Sequence, residues 1–344
     1  MARLLRESAN GLAKLSSELW LWKGRHVKLL DGSTLSAPDT AENQKQYPQH
    51  GLQKKGVGFP IIRCVGVVSL SCGAIFDLAF GRYQGKGTGE LALLSKLLHC
   101  FQNGDVAVAD ACYCSYFLIA DLLSRGVDVL FRMHGSRHFD FRSGKRLGKK
   151  DHLVIWKKPV RPKWMDNETY LRMPNEICIR ETYIEVKCKG FRTKSLTVAS
   201  SFTDPKCTTA ADLGDLYYQR WHVELDLRSI KQVLQMDVLR GKTPEMVHRE
   251  IWVHLLAYNL VRALMAKTAR KYRRTPRTLS FKVVVQLLIT LQNTTVSEGT
   301  IMKIIAVYTV GDRPGRFEPR ARKRRPGDYN LLKVPRAQAR KALL

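Results

Sequence analysis

The chain has 344 residues, enough to bury a sizeable core as one large domain or two smaller ones. Its apolar share of 44% is ordinary, but 58 Lys and Arg against 30 Asp and Glu leave a net charge of +28. Such self-repulsion points to a polyanionic partner, nucleic acid first, with a basic ribosomal-type or membrane-surface protein left open by charge alone. No apolar run reaches the length of a membrane span, and the opening MARLLRESANGLAKLSSELW lacks a secretory layout, so neither a membrane nor export is expected. The eight cysteines form no paired C-x-x-C clusters, which sets a zinc site aside and makes reduced cytosolic thiols the default.

Residues 1–24 read as a short polar helix leading into a first strand, His26–Leu30, stopped by Asp31-Gly32-Ser33. A polar loop at 39–56 precedes two β-rich stretches, Phe59–Leu70 and Ala74–Phe80, separated by the turn residues Ser71-Cys72-Gly73. A glycine-rich loop, Gly81 to Gly89, gives way to helical spacing over Glu90–Phe101, then to a strand at Asp105–Ala109 that ends at Asp110. A helix at Tyr116–Ser124 closes on Gly126, and Val127–Arg132 is another buried strand. Hairpin-linked strands followed by alternating helix and strand predict an α/β fold, a mixed sheet with helices on its faces. From Gly135 to about Lys194 basic, Pro-containing and β-prone segments mix, as in an inserted β-rich subdomain. Leu196–Ser200 returns to strand character, and three helices follow at Asp212–Leu234, Pro244–Tyr272 and roughly Ser280–Leu291. Thr243 as N-cap with Pro244 at the first helical position marks the second of these. The end is a proline-interrupted basic tail around Arg320, Arg322, Lys323, Arg324 and Arg325.

In so basic a chain the placement of acids is informative. Asp31 and Asp110 each stand where a strand is predicted to end, and Glu224 stands within a helix. Two strand-end carboxylates and one from a helix can converge at a sheet edge and hold two hard divalent cations, which take oxygen ligands. Two such ions about 3.5–4 Å apart suit an in-line displacement at phosphorus. Singly, Asp31-Gly32 also reads as a plain turn and Asp110 as a helix cap. The helix carrying Glu224 adds Tyr217, Arg220 and Lys231 at steps of three, four and seven, which puts all four residues on one face. That face suits a metal beside a phosphate backbone, or else an ordinary solvated surface with an Arg220–Glu224 pair. Two other patterns fail. In Gly81-Arg82-Tyr83-Gln84-Gly85-Lys86-Gly87 the first glycine is one residue too close for a phosphate loop, and Gly87 stands where a Ser or Thr must reach magnesium. His222-x-Glu224 has no following Pro-Cys-x-x-Cys, which sets a zinc deaminase aside.

The pattern Y-x2-R-x3-E-x6-K, filled by Tyr217, Arg220, Glu224 and Lys231, resembles the signature of insertion-sequence-four-type DDE transposases. LLDGST around Asp31, GFPIIRCVGVVSLSCGAI, VAVADACYCSY around Asp110, GVDVLFR and the tail RFEPRARKRRP are similar to that family's blocks in its order, from about residue 25 onward. The resemblance implies an RNase H-like core over 25–134 and 195–240, with a β-rich insertion at 135–194 before the catalytic Glu helix. It also implies C-terminal helices over 241–311 and a basic tail over 312–344, behind an N-terminal helical remnant at 1–24. It implies Asp31, Asp110 and Glu224 as ligands of two Mg2+ ions, with Mn2+ substituting, and Tyr217, Arg220 and Lys231 on transposon-end phosphates. A flipped base would need an aromatic platform in the insertion, where Trp156 and Trp164 are the candidates. The activity implied is metal-dependent DNA cleavage and strand transfer at transposon ends, in a homodimer that pairs two ends. The place implied is the bacterial cytoplasm, at the nucleoid. Only thirty residues precede Asp31, whereas relatives carry an N-terminal DNA-recognition domain there, so the expected chain is a catalytic core without that domain. The alternative is an inactive or repurposed DNA-binding remnant.

Overall fold

The computed structural model describes residues 1–135, 137, 140–185, 195–310 and 334–342. The basic tail around Arg320 to Arg325 lies outside them. Period-two alternation of apolar residues builds the strands, and here both faces are buried. Val27, Leu29, Val106, Val108 and Leu130 face one core, while Leu30, Ala107, Ala109, Val129 and Phe131 face another. A helix α1 (Ala2–Lys14) precedes β1 (Val27–Ser36), and α2 (Ala41–Gln46) lies in what reads from sequence as a polar loop. There Thr40 caps α2 by accepting from the Asn43 N–H. Then come β2 (Ile61–Ser69), β3 (Ile75–Arg82), α3 (Glu90–Leu94), β4 (Val106–Ala109), α4 (Tyr116–Ser124) and β5 (Asp128–Arg132). The next segment supplies β6 (Lys145–Gly148), β7 (Asp151–Lys157), α5 (Asn167–Arg172) and β8 (Glu176–Glu185), and β9 (Ser195–Ser200) follows. The C-terminal part holds α6 (Ala210–Gln219), α7 (Trp221–Arg228), α8 (Pro244–Lys271), α9 (Phe281–Leu291) and α10 (Glu298–Val307).

The nine strands among the described residues form one sheet in the order β3-β2-β1-β4-β5-β9-β8-β7-β6. β1, β4 and β5 run parallel, and the remaining neighbours are antiparallel. Strands β6 to β8 therefore extend the same sheet past β9. Helices α3 and α4 cover one face, and α6 to α9 cover the other. The first helix is amphipathic, burying Leu5, Ala9 and Leu12, and it packs on β3 and α8. This is a large mixed sheet flanked by helices.

Three differences from the sequence reading bear on the site. β1 runs on through Asp31 and Gly32 to Ser36, because β2 pairs with it along residues 28 to 36. The stretch expected as one helix from Asp212 to Leu234 is α6, a break at Arg220, α7 and a π-turn over Ser229–Val233. Glu90–Phe101 is α-helical only to Leu94 and tightens to a 3-10 helix over Ser95–Cys100. No helix among the described residues is long and apolar enough to cross a membrane.

Candidate metal and phosphate site

β1 and β4 pair in parallel with Leu29 opposite Val108. β4 ends at Ala109, so continuing that register by two residues sets Asp31 beside Asp110, on strands about 4.8 Å apart. The carboxyl ends of neighbouring parallel strands open a crevice there, the usual place for a ligand in such a sheet. Asp31 itself is not at a strand end, as sequence suggests, but at the point where β1 loses its β4 neighbour while keeping β2. Asp110 is the N-cap of the 3-10 turn Ala111–Tyr113, accepting from the Cys112 N–H at 2.8 Å.

The third acid enters from the helical layer on the face that Leu29 shares. Glu224 lies in the first turn of α7, and Arg220, at the junction of α6 and α7, donates to its Oε1 at 2.6 Å. The other arm of the same guanidinium stands 3.9 Å from Asp31 Oδ2. One cation thus spans the gap between Asp31 and Glu224. Lys231, in the π-turn, reaches back to β1 and donates to the Thr34 carbonyl at 2.9 Å. Tyr217 is largely buried beneath Arg220, its ring centroid 6.0 Å from the guanidinium carbon. The four signature residues are therefore gathered at the edge of the carboxylate crevice, with the phenol as support more than as open surface.

Burial pushes the Asp31 carboxyl up to about 7, the Arg220 charge and the Gly32 N–H pull it back, and the charges of Glu224 and Asp110 push it further up. Burial likewise pushes the Tyr217 phenol up to about 12, against the charges of Arg220 and Arg132. The donor set fits a hard divalent cation, because all three groups are carboxylates. The three do not close on a single point: among the described residues, the triad whose ligand atoms all lie within 4.8 Å of one another is Asp77, His99 and Cys100. That triad is poorly suited to a hard cation, since only one of its three groups is a carboxylate.

The two candidate platforms part company. Trp156, in β7, is 7% exposed, donates to Glu181 Oε1 at 2.8 Å and carries the Arg137 guanidinium 3.6 Å above its ring. Its edge and one face are both occupied. Trp164 is 71% exposed and touches Phe117 of α4 edge-on, with centroids 6.1 Å apart. Sequence reading passed over three residues on the elements that build the site. Trp221 follows Arg220 directly and is exposed. Arg132, at the end of β5, acts on Tyr217. Glu90 lies against Gly32. An aromatic beside the signature arginine is a signal that could have been read, whereas the other two carry none.

With this geometry in place, similarity is informative. Residues 22–260 match the family model of the transposase DDE domain. The transposase InsG for insertion sequence element IS4 of Escherichia coli K12 is 29% identical over 350 residues, covering 95% of this chain and 76% of that protein. A probable transposase for insertion sequence element IS5377 of Geobacillus stearothermophilus is 35% identical over 63 residues, 18% of this chain and 17% of that one. Among solved structures, the piggyBac transposase synaptic complex with hairpin DNA matches at a TM-score of 0.46 and 9% identity, over 86% of this chain and 60% of that one.

Proposed function

The chain belongs to the family of transposase DDE domains, and from that premise we propose that it cleaves and joins DNA strands at the ends of a mobile element. The observation that carries this reading is the side-by-side placement of Asp31 and Asp110 by the parallel register of β1 and β4, with Glu224 brought to Asp31 through Arg220. The core β3-β2-β1-β4-β5, with β1, β4 and β5 parallel, is read as RNase H-like.

Asp31, Asp110 and Glu224 would hold two Mg2+ ions, for which Mn2+ would substitute. When bound, these supply Lewis-acid stabilisation of charge on the attacking and leaving oxygens. The residues of the chain contribute position and countercharge. Arg220 neutralises Glu224 and faces Asp31, and with cations on the carboxylates it is the group a strand phosphate engages. Lys231, resting on the Thr34 carbonyl, supplies a second phosphate contact from the same face. Tyr217 packs under Arg220 and fixes the approach of that side chain. Trp164 is the platform for an unstacked base. Pairing two element ends would take two copies of the chain.

The test is a cleavage and joining assay on end-bearing duplexes with Mg2+. Asp31→Asn, Asp110→Asn and Glu224→Gln should each lower the rate by more than about 100-fold while the proteins still fold and bind DNA. Unchanged joining by any one of the three would remove that residue from the site.

A further inference from the structure

β1 presents alternate residues to opposite faces of the sheet, so Asp31 and Gly32 look in opposite directions. Asp31 faces the layer of α6 to α9, and Gly32 faces the layer of α3 and α4. On that second face the carboxylate of Glu90, the first residue of α3, occupies the room a side chain at Gly32 would need. A Cβ built there would stand 2.7 Å from Glu90 Oε2, closer than packed atoms come. The same oxygen accepts a 3.0 Å hydrogen bond from the hydroxyl of Tyr113, whose side chain is fully buried. Tyr113 belongs to the 3-10 turn that begins at Asp110 and whose Cys112 N–H holds the Asp110 carboxylate. One side chain therefore touches both segments that carry the paired aspartates, from behind, 59 residues after one and 20 before the other.

We infer that Glu90 is a positioning residue that fixes the spacing of Asp31 and Asp110 by bracing Gly32 on one side and Tyr113 on the other. The inference rests on the two-metal reading above. Three features argue for bracing over ligation. Glu90 lies on the face of β1 opposite Asp31, its carboxylate is engaged by a buried phenol, and among the described residues it reaches Asp110 through the turn, with no direct hydrogen bond between the two. Groups that orient metal ligands in this way set affinity without touching the ion, and their loss typically costs about 10- to 100-fold in binding.

Calorimetric Mn2+ titration of the full chain without DNA tests this, with thermal melts to show that each variant folds. Glu90→Ala should weaken Mn2+ binding by about 10- to 100-fold, while Glu90→Gln, whose amide oxygen still accepts from Tyr113, should stay within a few-fold of the parent. Tyr113→Phe removes the bond from the other side and guards against a Glu90→Ala protein that does not fold. The double variant should be no weaker than the worse single one, because the two residues act as one unit. Parental affinity in Glu90→Ala or in Tyr113→Phe overturns the inference. A loss in Glu90→Gln as large as in Glu90→Ala also overturns it, since charge and not position would then be at work. Asp31→Asn separates the two layers of argument. If it abolishes Mn2+ binding while the Glu90 variants do not weaken it, the metal site stands and the brace falls. If the parent binds no Mn2+, both fall.

Discussion

Asp31 sits where the folding of the chain works against its ionisation. Burial holds its carboxyl near 7, and the neighbouring Glu224 and Asp110 add to that, with Arg220 opposing. The unfolded carboxyl titrates near about 4, so between that value and about 7 the native state keeps a proton that the unfolded state has released. The stability contribution of this group is therefore full below the window, declines as pH rises through it, and is gone above about 7. Denaturant unfolding from pH 4.5 to 8, values chosen to span roughly that window, should show a downward slope for the parent that flattens in Asp31→Asn. Magnesium should flatten it as well, because a bound cation favours the ionised form. Identical slopes in parent and variant would mean that Asp31 titrates normally. The two tryptophans give a second contrast at this scale. Trp156→Ala should cost about 3–5 kcal/mol of stability, whereas Trp164→Ala should stay within roughly ±0.5 kcal/mol in urea unfolding and show its effect on strand processing alone.

At the scale of elements, the seat of α7 decides where Glu224 points. Two residues beyond it, Asp226 is fully buried and accepts from Arg262 of α8 at 2.5 Å and from Arg277 at 2.7 Å. Arg277 also donates to the carbonyls of Ser69 and Leu70 at the end of β2. Helix α7 is thus keyed to the sheet and to α8 through one buried carboxylate. Removing a single partner from such a cluster leaves uncompensated charge inside the protein, and Asp226→Ala should lower stability by about 3–5 kcal/mol in urea unfolding. A loss under about 1 kcal/mol would show that the two guanidinium groups find water or other acceptors. The sequence places Tyr217, Arg220, Glu224 and Lys231 on one helical face, and those four side chains do gather. The spacing does not reveal that the helix breaks at Arg220 and loosens into a π-turn before Lys231. Those irregularities answer to packing on the sheet, whereas the side-chain spacing answers to the ideal helix alone.

For the whole molecule, the excess of +28 governs encounter with DNA more than the chemistry. Duplex affinity should fall steeply between about 50 and 200 mM salt as condensed counterions cease to be released at a profit in entropy. Arg220→Ala and Lys231→Ala should barely change that affinity, since many other basic residues share the load, yet both should lower strand joining sharply. Filter binding across the salt range, paired with the joining assay, checks both halves. Salt-insensitive binding would mean that base contacts, and not phosphate charge, carry the interaction.

Much of this protein is legible without coordinates. Alternating apolar residues give the strands, Thr243-Pro244 gives the start of α8, and the spacing from Tyr217 to Lys231 gives the signature face, because each is a local pattern with a local cause. The sequence by itself determined the mixed sheet with flanking helices, the pairing of Asp31 with Asp110 as candidates, and the charge that calls for nucleic acid. The tertiary structure decided what depends on residues far apart in the chain. β2 carries β1 on past Asp31, Arg137 and Glu181 close over Trp156, Arg262 and Arg277 converge on Asp226, and Glu90 takes the space that Gly32 leaves. None of these has a signal within a window of ten residues, because the partner of each is supplied by topology, and a side chain's environment is set by what the fold brings to it.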